Sequence, residues 1–265
     1  MDRDLLRRLW VTAMAALCVY TTLLGFGVIG TRVEDSSSGV LSADATLLAP
    51  GGPAFSIWSL IYVGLAAYTV WQWLPSQWTA ERARATGWLA GASMGLNGAW
   101  LLVTQVGLIW ISVAVIAALV VVLGLLMDRV TAHPAAGTAD RVVIDGTFGA
   151  YLGWVCVAAC ANVAAAGVSS GWSVGPFADQ LLAVAVLAVA AGVGVLLAKR
   201  HGGRLALAAA SAWGLAWIAI ARLTDQPSST MVGLAAAVAA ALVLGAALAF
   251  RGGLLPQRHS TATAG

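Results

Sequence analysis

Apolar residues in this chain come in long unbroken runs, not in the narrow stripe that a soluble amphipathic helix carries. Eight such runs can be marked, at roughly residues 9–30, 53–74, 87–106, 108–127, 142–166, 177–198, 205–222 and 231–250. Each is about the length a helix needs to cross a hydrocarbon core of ~30 Å. The pattern predicts an all-α integral membrane protein with about eight transmembrane helices. The run from Leu9 to Gly30 exceeds the ~7–15 apolar residues of a signal peptide, so it reads as a retained helix. The connections are short apart from residues 31–52, the longest loop expected on the outer side. A loop of that length can be a lid over a pocket or a plain linker.

Composition agrees. Hydrophobic residues make up 60% of the chain and charged residues only 9%, against about 25% in soluble domains. Eight crossings put both termini on one side, and of the 14 Lys and Arg residues all but Arg32 and Arg222 fall on that side. The asymmetry predicts that both ends are cytoplasmic. The basic residues lie in short loops and not on a soluble surface, which argues against nucleic acid as a partner and leaves the lipid bilayer.

Several faces depart from what lipid would select. In the stretch Val142–Gly167, the residues Tyr151, Trp154, Ala158 and Asn162 follow at steps of three, four and four, and so share one face. The Asn162 amide needs a partner once it leaves water. In the second run, Phe55, Trp58, Tyr62, Ala66 and Thr69 share a face. In the third, Ser93, Asn97, Trp100 and Thr104 lie opposite Gly87, Gly91 and Gly95. Glycines four apart let another backbone approach, either a neighbouring helix or a second copy in a homodimer. The topology brings the rings and amides of helices two, three and five to one depth beneath the 31–52 loop. Such a face suits a flat apolar ligand with a few polar edges. It also suits a packed aromatic core in which Asn97 and Asn162 are satisfied by neighbouring helices. Trp71, Trp73 and Trp78 read as an interfacial belt. Asp145 reads either as a carboxylate at the start of the fifth helix or as part of a proton relay.

Three of these segments resemble the TspO/MBR family, also called translocator or tryptophan-rich sensory proteins. Tyr151, Trp154, Ala158 and Asn162 resemble its Pro-Tyr-x-x-Trp-x-x-x-Ala-x-x-x-Asn signature. Leu96, Asn97 and Trp100 resemble its Leu-Asn-x-x-Trp element, and Phe55, Trp58, Ser59 and Tyr62 its Phe…Trp-[Ser/Thr]-x-x-Tyr element. The resemblance covers about residues 9–167 and implies a five-helix bundle over 1–167, with three additional transmembrane helices over 168–250 and a disordered cytoplasmic tail over 251–265. It further implies a multi-pass protein of a bacterial cell membrane that binds a hydrophobic, porphyrin-like small molecule, with porphyrin or haem as the ligand. The implied ligand-binding residues are Phe55, Trp58, Tyr62, Asn97, Trp100, Trp154, Ala158 and Asn162. This chain departs from the family pattern at Ala150, where the signature has Pro, and in a 31–52 loop without Trp. The run after Asn162 lacks the sterol-recognition pattern of animal members.

Other chemistry finds little support. His133, His201 and His259 fall in loops or tail, away from an outer pocket, so axial His ligation of haem is not expected there. Cys18, Cys156 and Cys160 lie at membrane depth without other metal ligands beside them. No P-loop, catalytic carboxylate pair or Ser–His arrangement is present. The expectation is therefore a membrane-embedded binding or sensory protein, more a receptor than an enzyme. A small-molecule transporter and a light-dependent porphyrin-degrading enzyme remain alternatives.

Overall fold

The computed structural model of the protein describes residues 2–25, 27–29 and 39–254. Residues 31–38 of the long connection and 255–265 of the tail expected to be disordered, with Arg258 and His259, lie outside the described residues; Arg251, at the start of that expected tail, instead closes the last helix.

Among the described residues there are eight long helices. These are α1 (Arg3–Gly25), α2 (Ile57–Trp71, entered through a 3-10 turn at Gly52–Ser56), α3 (Glu81–Gln105) and α4 (Ile109–Ala132). They continue with α5 (Thr138–Ser169), α6 (Pro176–Arg200), α7 (Leu205–Thr224) and α8 (Thr230–Arg251). Each of the eight apolar runs corresponds to one helix. Seven are long and apolar enough to cross a membrane. The exception is α3, which carries Glu81, Arg82, Arg84 and Asn97. Its 25 residues still span ~37 Å at 1.5 Å each. Its polar residues Arg82, Thr86, Ser93, Asn97 and Thr104 are buried within the bundle. The protein is thus a multi-pass, all-α membrane protein.

Helices α1 to α5 form one bundle, with α3 between α1 and α4, and α2 against α5 and α1. The glycines of α3 are what allow its approach to α1. Gly87 lies against Arg7, Gly91 against Trp10 and Gly95 against Met14, and a Cβ at Gly91 would fall 2.3 Å from Trp10 Nε1. This corrects the expected homodimer face: Gly87, Gly91 and Gly95 are covered by a helix of the same chain and are not free for a second copy.

The opposite side of the bundle leads to the C-terminal helices. α7 packs on α5, α8 on α7, and α6 on α8. Again glycine sets the approach: a Cβ at Gly153 of α5 would lie 2.2 Å from the Leu207 carbonyl oxygen of α7. Two buried clusters result. One fills the five-helix bundle and includes Leu207 and Ala210 of α7; the other fills α6–α8 and takes in Leu48 from the loop before α2.

Most of the charged side chains gather at one end. Arg84 pairs with Asp4 (3.0 Å from Nε), and Arg200 with Asp128 (2.7 Å). The Arg8 guanidinium lies 5.0 Å from the ring centres of both Trp73 and Trp78, so these two indoles hold a cation besides bordering the membrane. Asp145 does not stand at the start of its helix as expected. α5 begins at Thr138, and Asp145 sits inside it, in a π-helical stretch over Arg141–Gly146. Its buried carboxylate pairs with Arg82 and, at 3.1 Å, with Arg204, while Arg82 also holds Asp140 at 2.6 Å. It therefore ties α3, α5 and the start of α7 together.

Candidate ligand-binding site

At the end away from most of the charges, four helices and a loop enclose a chamber of about 60 Å3. That is room for roughly four water molecules. Phe55 and Trp58 form one wall, Asn97 and Trp100 a second, and Trp154, Ala158 and Asn162 a third. Seven of the eight residues singled out in the sequence therefore line one space. The exception is Tyr62, which stands behind the wall: its ring stacks on Trp58 at 5.3 Å, and its hydroxyl donates to Asn97 Oδ1 at 3.4 Å.

The walls hold because each ring leans on another. Trp154 receives Phe55 edge-on at 5.8 Å and Trp58 at 6.2 Å, and Trp58 meets Tyr151 edge-on at 6.0 Å. Edge-to-face contacts of this kind match the ring quadrupoles and add about 0.5–1.5 kcal/mol each beyond burial. Tyr151 is anchored below by donating to the Ser93 carbonyl at 3.3 Å.

The two amides differ in what they have left to offer. Asn162 is fully engaged: Trp100 Nε1 donates to its Oδ1 at 3.1 Å, and its Nδ2 donates to Ser112 Oγ at 3.0 Å. This much fits the packed-core reading. Asn97 is only 1% exposed, yet its Nδ2 has no hydrogen-bond partner among the described residues. Trp154 Nε1 is in the same position. Two unmet N–H donors thus belong to residues on two walls of one largely apolar chamber, where an unmet donor costs about 1–3 kcal/mol. An acceptor brought by a ligand would remove that cost.

One wall of the chamber went unread in the sequence. Ile116 and Leu119 of α4 close it from the fourth side. The signal available in α4 was Ser112, a lone hydroxyl in an otherwise apolar run and the residue that satisfies Asn162. The roof is formed by loop residues Val40, Leu41, Ser42, Thr46, Ala49 and Pro50. The loop is thus a cover over the chamber in its described part. A larger groove of about 660 Å3 runs between α2, α5 and α7. It is edged by the exposed side chains Leu60, Val63 and Val142 and holds none of the unmet polar atoms, as expected of a crevice facing lipid.

A model of the TSPO-like protein family matches residues 8–249, a span that runs through α6, α7 and α8 as well as the first five helices. No curated protein and no solved structure matches the chain.

Proposed function

Because the chain belongs to the TSPO-like protein family, we propose that it is a membrane-embedded binding protein whose chamber takes a flat, mostly apolar molecule with hydrogen-bond acceptors at its edge, of the tetrapyrrole class. The observation that carries this reading is the pair of unmet donors, Asn97 Nδ2 and Trp154 Nε1, set among aromatic rings. Rings supply stacking area, and the donors fix orientation. Among the described residues the lining contains no His, Cys, Met or Tyr, so an iron centre would find no axial side chain from them, which favours a metal-free macrocycle over haem. With its charged end cytoplasmic, the chamber opens on the outer side, and the protein works as a sensor for a ligand arriving from there.

A titration of the detergent-purified protein with protoporphyrin, followed by the ligand's own absorbance, tests the reading. Trp154→Phe keeps a ring but removes the donor, and Asn97→Leu removes the amide at similar volume. Each is expected to weaken binding about fivefold, the value of one net hydrogen bond near 1 kcal/mol, while thermal stability stays close to that of the parent. Equal affinity in all three proteins would remove the chamber from the account.

A further inference from the structure

The C-terminal helices have a task that follows from what α7 touches. Arg222, near the end of α7, is 1% exposed. It donates from Nη1 to the Thr46 carbonyl at 2.8 Å and from Nη2 to the Ala43 carbonyl at 3.1 Å. Its Nε has no partner among the described residues. A guanidinium is thus buried under the loop with carbonyl oxygens as its hydrogen-bond partners.

The same helix meets the loop twice more. The Trp217 carbonyl accepts from Gly51 N at 3.2 Å, and Trp213 Nε1 donates to the Ala54 carbonyl at 2.9 Å. The contacts of Trp213, Trp217 and Arg222 follow one another along the second half of α7, which thus runs beside residues 43–54. Leu48 is buried in the cluster of α6–α8. Behind Arg222 the support continues: its carbonyl accepts from Ser229 N at 2.9 Å, and Ser229 Oγ donates to Gln180 of α6 at 2.6 Å.

The other side of this segment is the chamber roof. Ligand sites for molecules of this class run to about 300–1,000 Å3, and the chamber holds about 60 Å3. It must therefore dilate. Its remaining walls are membrane-spanning helices packed on one another, and the roof is the wall that can move.

We infer that α7 is a latch on the chamber: Arg222 is a positioning residue that holds residues 43–51 down, and ligand gains access when that segment leaves α7. This rests on the reading of the chamber as the ligand site, but the latch can be tested without any ligand. In the full-length protein with Cys18, Cys156 and Cys160 replaced by Ala, Ala161→Cys places a thiol on the chamber wall. Its labelling by a small maleimide reads access, and amide exchange over 43–51 reads the loop. Arg222→Gln is expected to raise both rates about tenfold or more, since two hydrogen bonds from a charged donor are lost. Arg222→Lys, which keeps one charged donor, is expected to lie between. Gly51→Ala has an ordinary φ of −57° and puts a Cβ 3.2 Å from the Trp217 ring, so it should loosen the loop even if the Arg222 variants fold poorly. Unchanged exchange and labelling in folded Arg222→Gln and Gly51→Ala proteins would overturn the latch. Faster exchange without faster labelling would overturn its control of access. Faster exchange and labelling in a protein that binds no protoporphyrin would support the latch and reject the chamber's proposed ligand.

Discussion

The first five helices and the last three are built from different materials. In α1–α5, large rings and charges add to the glycine-mediated approach of α3 to α1: the Trp58, Tyr151 and Trp154 cluster at one end and Arg82 with Asp140 and Asp145 at the other. In α6–α8, contacts are made by small residues fitting against branched ones, as where Gly194 receives Val243 and Gly233 receives Leu223. The ion pairs of the second region, Arg200 with Asp128 and Arg204 with Asp145, both reach back into the first. Close apolar packing gives position, while unmet donors and rings give chemistry. The lesson of the comparison is that the second region acts on the first mainly through one helix, α7, which holds both α5 and the roof.

If the regions differ in this way, substitutions should separate them. The largest effect is expected at the charged end. Arg82→Ala would leave the Asp140 and Asp145 carboxylates in a buried site without their main partner. Breaking a buried pair costs about 3–5 kcal/mol, so thermal unfolding in detergent should show a large loss of stability. A loss of a few tenths would show that the network is wet and weak. Next comes the seam between the regions. Gly153→Val would drive a side chain into the Leu207 backbone, costing about 1–3 kcal/mol. Limited proteolysis should then cut in the connection between α5 and α6 while α6–α8 stay protected as a unit. Cleavage spread evenly along the chain would mean that the two regions are not separate.

A smaller effect is expected from pH. His201, in the turn between α6 and α7, is buried and bonded to Thr131 Oγ1 at 3.1 Å. Loss of solvent pushes its pKa down from 6.5 to about 4. Above pH 6.5 both folded and unfolded imidazoles are neutral, and His201 adds no pH dependence. Between pH 6.5 and about 4 the unfolded chain takes up a proton that the folded chain refuses, so stability falls as pH falls through that window. His201→Gln is expected to flatten this slope; an unchanged slope would place its origin elsewhere.

Much of this was legible in the sequence because membrane burial leaves coarse marks. The eight runs gave eight helices, and the spacing of Trp154, Ala158 and Asn162 gave the face they share. Tyr62 was misplaced because sequence spacing gives a face but not how far a ring reaches, and its ring is spent on Trp58. The glycines of α3 announced a close approach without naming the neighbour, since α1 and a second copy leave the same mark. The role of α7 was invisible for a different reason. Arg222 works through backbone carbonyls at positions 43 and 46, and any residue type offers those.

The most direct test of the central claim watches one of the unmet donors. In protein labelled with 15N on its indoles, the Trp154 N–H signal can be assigned by its loss in Trp154→Phe. On adding protoporphyrin, that signal is expected to move downfield as the donor finds an acceptor, while the exposed Trp78 and Trp172 stay in place. A Trp154 signal that does not move while the exposed indoles shift would place the ligand on the outer surface and contradict the account.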